Sequence, residues 1–179
     1  SPLPNVWRGF TLKWYAALAD DRELQAGLWL SLKIAFLTAC GSVVLGTLAA
    51  FALVKYKRFA GRTLFSGMVN APLVMPEVIT GLSLLLLFVT LEQLIGWPAG
   101  RGMTTIIISH VTFTMAFVTV IVQSRLSQVD ESLEEAALDL GARPWKVFFL
   151  ITLPIIFPAL LSGWLLAFTL SLDDLVIAS

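Results

Sequence analysis

Charge is scarce in this chain. Only 13% of its 179 residues are Asp, Glu, Lys or Arg, and a single histidine accompanies them, where a soluble domain carries about a quarter charged residues. The lone cysteine, Cys40, excludes an internal disulfide, and no Cys/His cluster offers a metal-ligand set. A G-x-x-x-x-G-K-[ST] run to cradle phosphates is absent, so the chain does not hydrolyse ATP by itself. Serines are scattered and His110 stands alone, which leaves no legible nucleophile–base pair for a membrane enzyme such as an intramembrane protease. With a formal net charge of zero, no basic surface points to nucleic acid. The first residues lack the basic start, short apolar core and small-residue cleavage site of a secretory signal.

What fills the space is apolar: 58% of residues are hydrophobic and the mean hydropathy is +0.86. An all-α, polytopic membrane protein is expected, because about 20 apolar residues at ~1.5 Å each cross a ~30 Å hydrocarbon core. Four such spans are read at about 28–54, 64–91, 103–122 and 147–172. In the first, Ala35 with Ala39 and Gly46 with Ala50 place small residues one helical turn apart, which lets a neighbouring helix approach closely. Cys40 is read there as a packing residue, and Lys33 as a side chain that snorkels from near the helix end. The second span holds Pro72 and Pro76, and each proline removes a backbone donor, so a break or kink is expected near its first third.

Residues 1–27 combine charge with Trp7, Phe10, Trp14 and Tyr15, as suits a periplasmic segment lying at the membrane interface. Basic residues orient the rest. Lys55, Lys57, Arg58 and Arg62 crowd one short loop, and Arg125, Arg143 and Lys146 lie in the polar segment 123–146. The opposite loops hold only Arg8, Lys13, Arg22 and Arg101, so the positive-inside rule places 123–146 in the cytoplasm.

Within that segment Leu126, Val129, Leu133, Ala136 or Ala137 and Leu140 recur at three- and four-residue steps, the pattern of one amphipathic helix. Ser132 and Glu135 have capping-box spacing, Gly141 suits a left-handed helix end, and Pro144 can open the next helix. The segment therefore reads as helix, sharp turn, helix. Its apolar stripe calls for a protein surface, since five carboxylates exclude the bilayer.

Glu135, Ala136, Ala137, Gly141, Ile151, Leu153 and Pro154 stand at the spacing of the EAA signature of inner-membrane permease subunits of ABC importers, a family the chain strongly resembles. The stretches FTLKWY (Phe10 to Tyr15), APLVMPEVITGLSLLLLF (Ala71 to Phe88) and FTLSLDDLVIAS (Phe168 to Ser179) resemble its polyamine branch, the putrescine permeases in particular. The resemblance implies a type I importer permease fold. It implies a fragment, with flanking transmembrane helices before Ser1 and after Ser179. It also implies the partners: a second homologous permease subunit, two cytoplasmic ATPase subunits, a periplasmic polyamine-binding protein and membrane lipid, with no cofactor. Glu135, Ala136, Ala137 and Gly141 are then the residues that couple to the ATPase. Glu135 can either cap its own helix or meet a basic residue of that partner.

Glu77, Asp173 and Asp174 are the candidate pathway residues. A plain helix over 64–91 places Glu77 about midway across the bilayer, where a carboxylate needs water, freed amides or a cation. Asp173 and Asp174 follow about 25 helical residues, roughly 37 Å of rise, which puts them at the far boundary with only one facing inward. A diammonium cargo needs anionic partners at two separated points. His110 is read as a residue paired to polar groups on a neighbouring helix. Two other readings remain: a permease of the same type for iron, sulfate, molybdate or phosphate, and a proton-driven secondary transporter using Glu77 and His110. Anionic cargo calls for basic groups at depth, where this chain has acidic ones.

Overall fold

A computed structural model describes residues 21–56 and 58–174. The aromatic part of the expected interfacial segment lies outside the described residues. Regular structure among the described residues is helical throughout: α1 (Arg22–Lys55), α2 (Arg62–Val74), α3 (Glu77–Ile95), α4 (Met103–Leu126), α5 (Glu131–Asp139), α6 (Pro144–Val147), a π-helical turn (Phe148–Thr152) and α7 (Leu153–Asp173). Four stretches among the described residues are long and apolar enough to cross a membrane: Arg22–Lys55, Glu77–Ile95, Met103–Leu126 and Pro144–Asp173. The fold is all-α and polytopic.

The described chain divides into two compact units, one ending at Lys33 and one beginning at Ile34. In the first, Asp21 Oδ1 accepts from the amides of Glu23 (3.0 Å) and Leu24 (3.2 Å), so α1 starts at Arg22. That start lies ahead of residue 28, where apolar character alone put the span, because an aspartate N-cap satisfies amides that the hydropathy pattern does not register.

In the second unit the core is built on small residues. Ala35, Ala39 and Ala50 of α1 are fully buried, as are Val118 and Val122 of α4 and Ala167 of α7. A Cβ at Gly46 would stand 2.9 Å from Val118 Cβ and 3.0 Å from the Met115 carbonyl oxygen. One at Gly163 would meet Val118 Cγ1 at 3.2 Å. Val118 is thus wedged between two glycines on different helices, and dispersion at this short separation replaces the hydrophobic drive that lipid cannot supply. Ser42 Oγ and Thr114 Oγ1 share a buried hydrogen bond of 2.7 Å across the same seam. Thr114 Oγ1 also lies 2.7 Å from the His110 carbonyl oxygen. Cys40 Sγ accepts from Trp164 Nε1 at 3.5 Å, and Trp164 stacks on Phe168.

Prolines set the irregularities. Met75 precedes Pro76 and is driven to an extended conformation (φ −80°, ψ 138°), which ends α2 and lets α3 begin at Glu77. The run 64–91 is therefore two helices, broken where the prolines predict, and Glu77 opens the second of them in place of sitting within one plain helix. Further on, Pro154 cannot donate to the Leu150 carbonyl and its ring crowds that group. The helix widens just before it, with the Leu153 amide reaching back five residues to Phe148 O.

Candidate functional site

The segment after α4 forms a tight hairpin. Asp130 Oδ1 accepts from the Ser132 amide at 3.0 Å, so Asp130 is the N-cap of α5. Hydrogen bonds from the Ser132 amide and hydroxyl also hold the Asp130 carboxyl below its ordinary range. This corrects the Ser132–Glu135 capping box: Ser132 sits inside the first turn, and Glu135 is released from a capping role. It also divides the expected stripe, because α4 stops at Leu126, which is buried, whereas Leu140 is 89% exposed.

The C-terminal end of α5 closes by two reversed bonds, Ala142 N–H to Ala137 O (3.0 Å) and Gly141 N–H to Leu138 O (2.9 Å). That is a Schellman turn, and it needs the left-handed residue Gly141 supplies at φ 83°. No atom crowds a Cβ there, so conformation and not space demands glycine. Arg143 is extended ahead of Pro144, which opens α6 as its first residue. Of the expected coupling residues, Glu135, Ala136 and Gly141 are exposed and Ala137 is half-buried. Leu133, Leu138 and Trp145 leave further apolar surface exposed on the hairpin.

Glu134, which sequence reasoning passed over, fastens this hairpin. Lys55 Nζ at the end of α1 donates to Glu134 Oε2 at 2.6 Å, and Thr152 Oγ1 in the π-helical turn donates to Glu134 Oε1 at 2.7 Å. Burial of Glu134 opposes ionisation, yet the bonds from Lys55 and Thr152 and the nearby ammonium charge outweigh it and hold the carboxyl below the usual glutamate range. A cleft of about 150 Å³, lined among others by Phe51, Leu138 and Phe148, opens beside this group. The missed signal was an acidic residue one position before the motif, matched to a lysine 79 positions earlier in the chain. No local pattern carries that pairing.

A second polar group forms where α4 and α7 meet. His110 Nδ1 and Ser171 Oγ are 2.7 Å apart, and His110 Nε2 faces Asp174 Oδ2 at 3.8 Å, too long for a hydrogen bond. His110 is 2% exposed, and its Nε2 has no hydrogen-bond partner. The two aspartates part company as the helical turn demands: Asp174 is buried against His110 and Asp173 is exposed. Glu77 opens α3 as an exposed residue in its first turn, where the helix dipole favours a carboxylate. Glu77 thus stands at the start of α3, and Asp173 and Asp174 stand at the end of α7. Among the described residues no group of His, Cys, Asp and Glu is arranged to hold a metal ion.

Residues 42–179 match the family model described as binding-protein-dependent transport system inner membrane component. The chain is 59% identical over all of its residues to the putrescine transport system permease protein PotI of Escherichia coli (strain K12), and covers 64% of that protein. It is 39% identical over 173 residues, 97% of the chain and 63% of the relative, to the spermidine/putrescine transport system permease protein PotC of the same strain. A PotC homolog from Mycoplasma pneumoniae is 36% identical over 149 residues, 83% of the chain and 51% of the relative. The chain thus spans less than two thirds of the length of these relatives.

Proposed function

Because the chain belongs to the family of inner membrane components of binding-protein-dependent transport systems, we propose that it is part of a permease subunit that carries a polyamine, putrescine foremost, into the bacterial cytoplasm. The observation that carries this reading is the buried Asp174 facing His110 where α4 meets α7, with the exposed carboxylate of Asp173 next to it in the chain and that of Glu77 opening α3. Such a group can replace water around an ammonium ion. The names of the relatives, putrescine and spermidine/putrescine permeases, support the same cargo. Glu77 and Asp173, both exposed in this chain, are the groups proposed to meet the amine, whereas Asp174 is buried beside His110.

The hairpin 123–146 is proposed to face the cytoplasm and dock on an ATPase subunit through Glu135, Ala136, Ala137 and the exposed leucines around them. A second homologous permease subunit completes the pathway, two ATPase subunits supply the hydrolysis, and a periplasmic polyamine-binding protein delivers cargo. The subunit itself is a transport component and not an enzyme. The segment ahead of α1 is proposed to lie on the periplasmic side, and the helices from Arg22 to Asp173 are proposed to belong to the membrane domain.

The test is uptake of labelled putrescine into proteoliposomes carrying the full-length subunit with its partners, with ATP hydrolysis followed in the same vesicles. Glu77→Gln lowers uptake at least roughly tenfold while hydrolysis stimulated by the binding protein persists, the loss expected for one charge-assisted contact. Unchanged uptake removes Glu77 from the pathway.

A further inference from the structure

We propose that Glu134 is a positioning residue for coupling: through Lys55 and Thr152 it ties the hairpin helix at once to the end of α1 and to the foot of the helix that ends in Asp173. The inference rests on the transport reading above and adds to it a residue outside the EAA signature.

The geometry has three parts. First, α5 contains no buried residue, so packing does not fix it against the membrane helices. Directional bonds do that instead, and both oxygens of one carboxylate are engaged, at 2.6 Å by Lys55 and at 2.7 Å by Thr152. Secondly, an open cleft of about 150 Å³ flanks the group, with Phe51, Leu138 and Phe148 on its walls. A helix beside a cleft has room to tilt, and the bonded carboxylate decides which neighbours follow.

Thirdly, Thr152 is the last residue of the π-helical turn, where the ladder is already widened ahead of Pro154. A wide turn accepts a change of pitch more readily than a regular helix does. Beyond it α7 continues as one helix to Asp173, with Pro158 removing one more amide from its ladder. A displacement of α5 is therefore handed to α7 at the widened turn and reaches Asp173 and the buried Asp174 at its far end. The Lys55 bond passes the same displacement to α1, which packs through Gly46 on Val118, the residue that also meets Gly163 of α7. Both routes converge on α7.

The experiment uses the full-length subunit in its complete complex, reconstituted in proteoliposomes, and reads putrescine uptake and ATP hydrolysis together as cargo moved per ATP. Glu134→Ala lowers that ratio about tenfold, within the usual span of coupling between sites, while hydrolysis continues. Thr152→Val, which keeps shape and removes the hydroxyl, lowers it about threefold. The paired exchange Lys55→Glu with Glu134→Lys restores opposite charges across the gap and recovers a large part of the ratio, which no loss of folding would do. Amide hydrogen exchange over residues 131–139 rises in Glu134→Ala and returns toward wild type in the exchanged pair. That second readout does not depend on the cargo.

An unchanged ratio in both Glu134→Ala and Thr152→Val overturns the proposal. So does a parallel fall of uptake and hydrolysis that the exchanged pair fails to rescue, because that marks a merely structural residue. Failure of the underlying reading looks different: the wild-type complex then hydrolyses ATP without moving putrescine, and only the exchange readout continues to report on Glu134.

Discussion

Two polar groups inside this apolar chain are built on opposite principles. At the Lys55 end, one carboxylate meets one ammonium and one hydroxyl, so charge is balanced and both oxygens are occupied. At the Asp174 end, a buried carboxylate faces one imidazole whose Nε2 lacks a hydrogen bond, and the exposed carboxylate of Asp173 is its neighbour in the chain. The first group is closed and holds parts together. The second sets carboxylates beside an imidazole and is the place proposed for an ammonium ion. The difference teaches that a buried polar residue in a membrane chain must be read from its neighbours: saturation marks a joint, and imbalance marks a place for a ligand.

The strongest way to break the contrast is to disturb the seam that both groups depend on. Gly46→Leu drives a side chain into Val118 and the Met115 carbonyl, and overpacking of this kind costs about 3 kcal/mol. The detergent-solubilised complex is expected to lose thermal stability, visible as a fall in its melting temperature, and uptake and hydrolysis decline together. A neutral outcome at this position contradicts the close approach of α1 and α4.

A smaller effect separates the two groups. The Glu134 carboxyl is held below its ordinary range in the folded chain, so its contribution is fully present above the ordinary glutamate value. That contribution is lost as pH falls through the lowered folded value. Wild type should exceed Glu134→Gln in stability by about 1 kcal/mol at neutral pH, given the partial exposure of the pair. The difference closes as pH falls through the lowered folded value, where the carboxyl takes up its proton. Denaturation midpoints of the two forms at neutral pH and in acid check this. A gap that persists in acid refutes the charge-based account of the joint.

The smallest effect sharpens the comparison by touching neither group. Ser42→Ala removes a buried hydroxyl from its 2.7 Å bond to Thr114. Thr114 keeps the His110 carbonyl as partner, so the cost is expected near 0.6 kcal/mol, the usual size of such bonds between membrane helices. Uptake per ATP stays unchanged. A large loss of transport here would tie the α1–α4 seam directly to the pathway.

Much of the candidate site was visible in the order of residues. The seven signature positions, the glycine turn and Pro144 report on local backbone geometry, and local geometry is written locally. The small-residue pairs in the first span identified the packing face for the same reason, with Ala35, Ala39 and Ala50 fully buried. The helix start at Asp130 was misplaced because Ser132 and Asp130 are both good caps, and choosing between them depends on where α4 ends. The break before Glu77 was legible in Pro76, although a hydropathy profile alone runs straight through it.

By itself, then, the sequence determined an all-helical membrane chain, its family and the shape of its hairpin, since hydrophobic run length, proline chemistry and a left-handed glycine act over a few residues. Only the tertiary structure decided that Glu134 joins Lys55 to Thr152 and that Asp174, not Asp173, lies buried against His110. Those pairings span 79, 18 and 64 positions of chain. Contacts so distant are set by how helices pack, and a few degrees of helix rotation, invisible in residue order, decide which side chain turns inward.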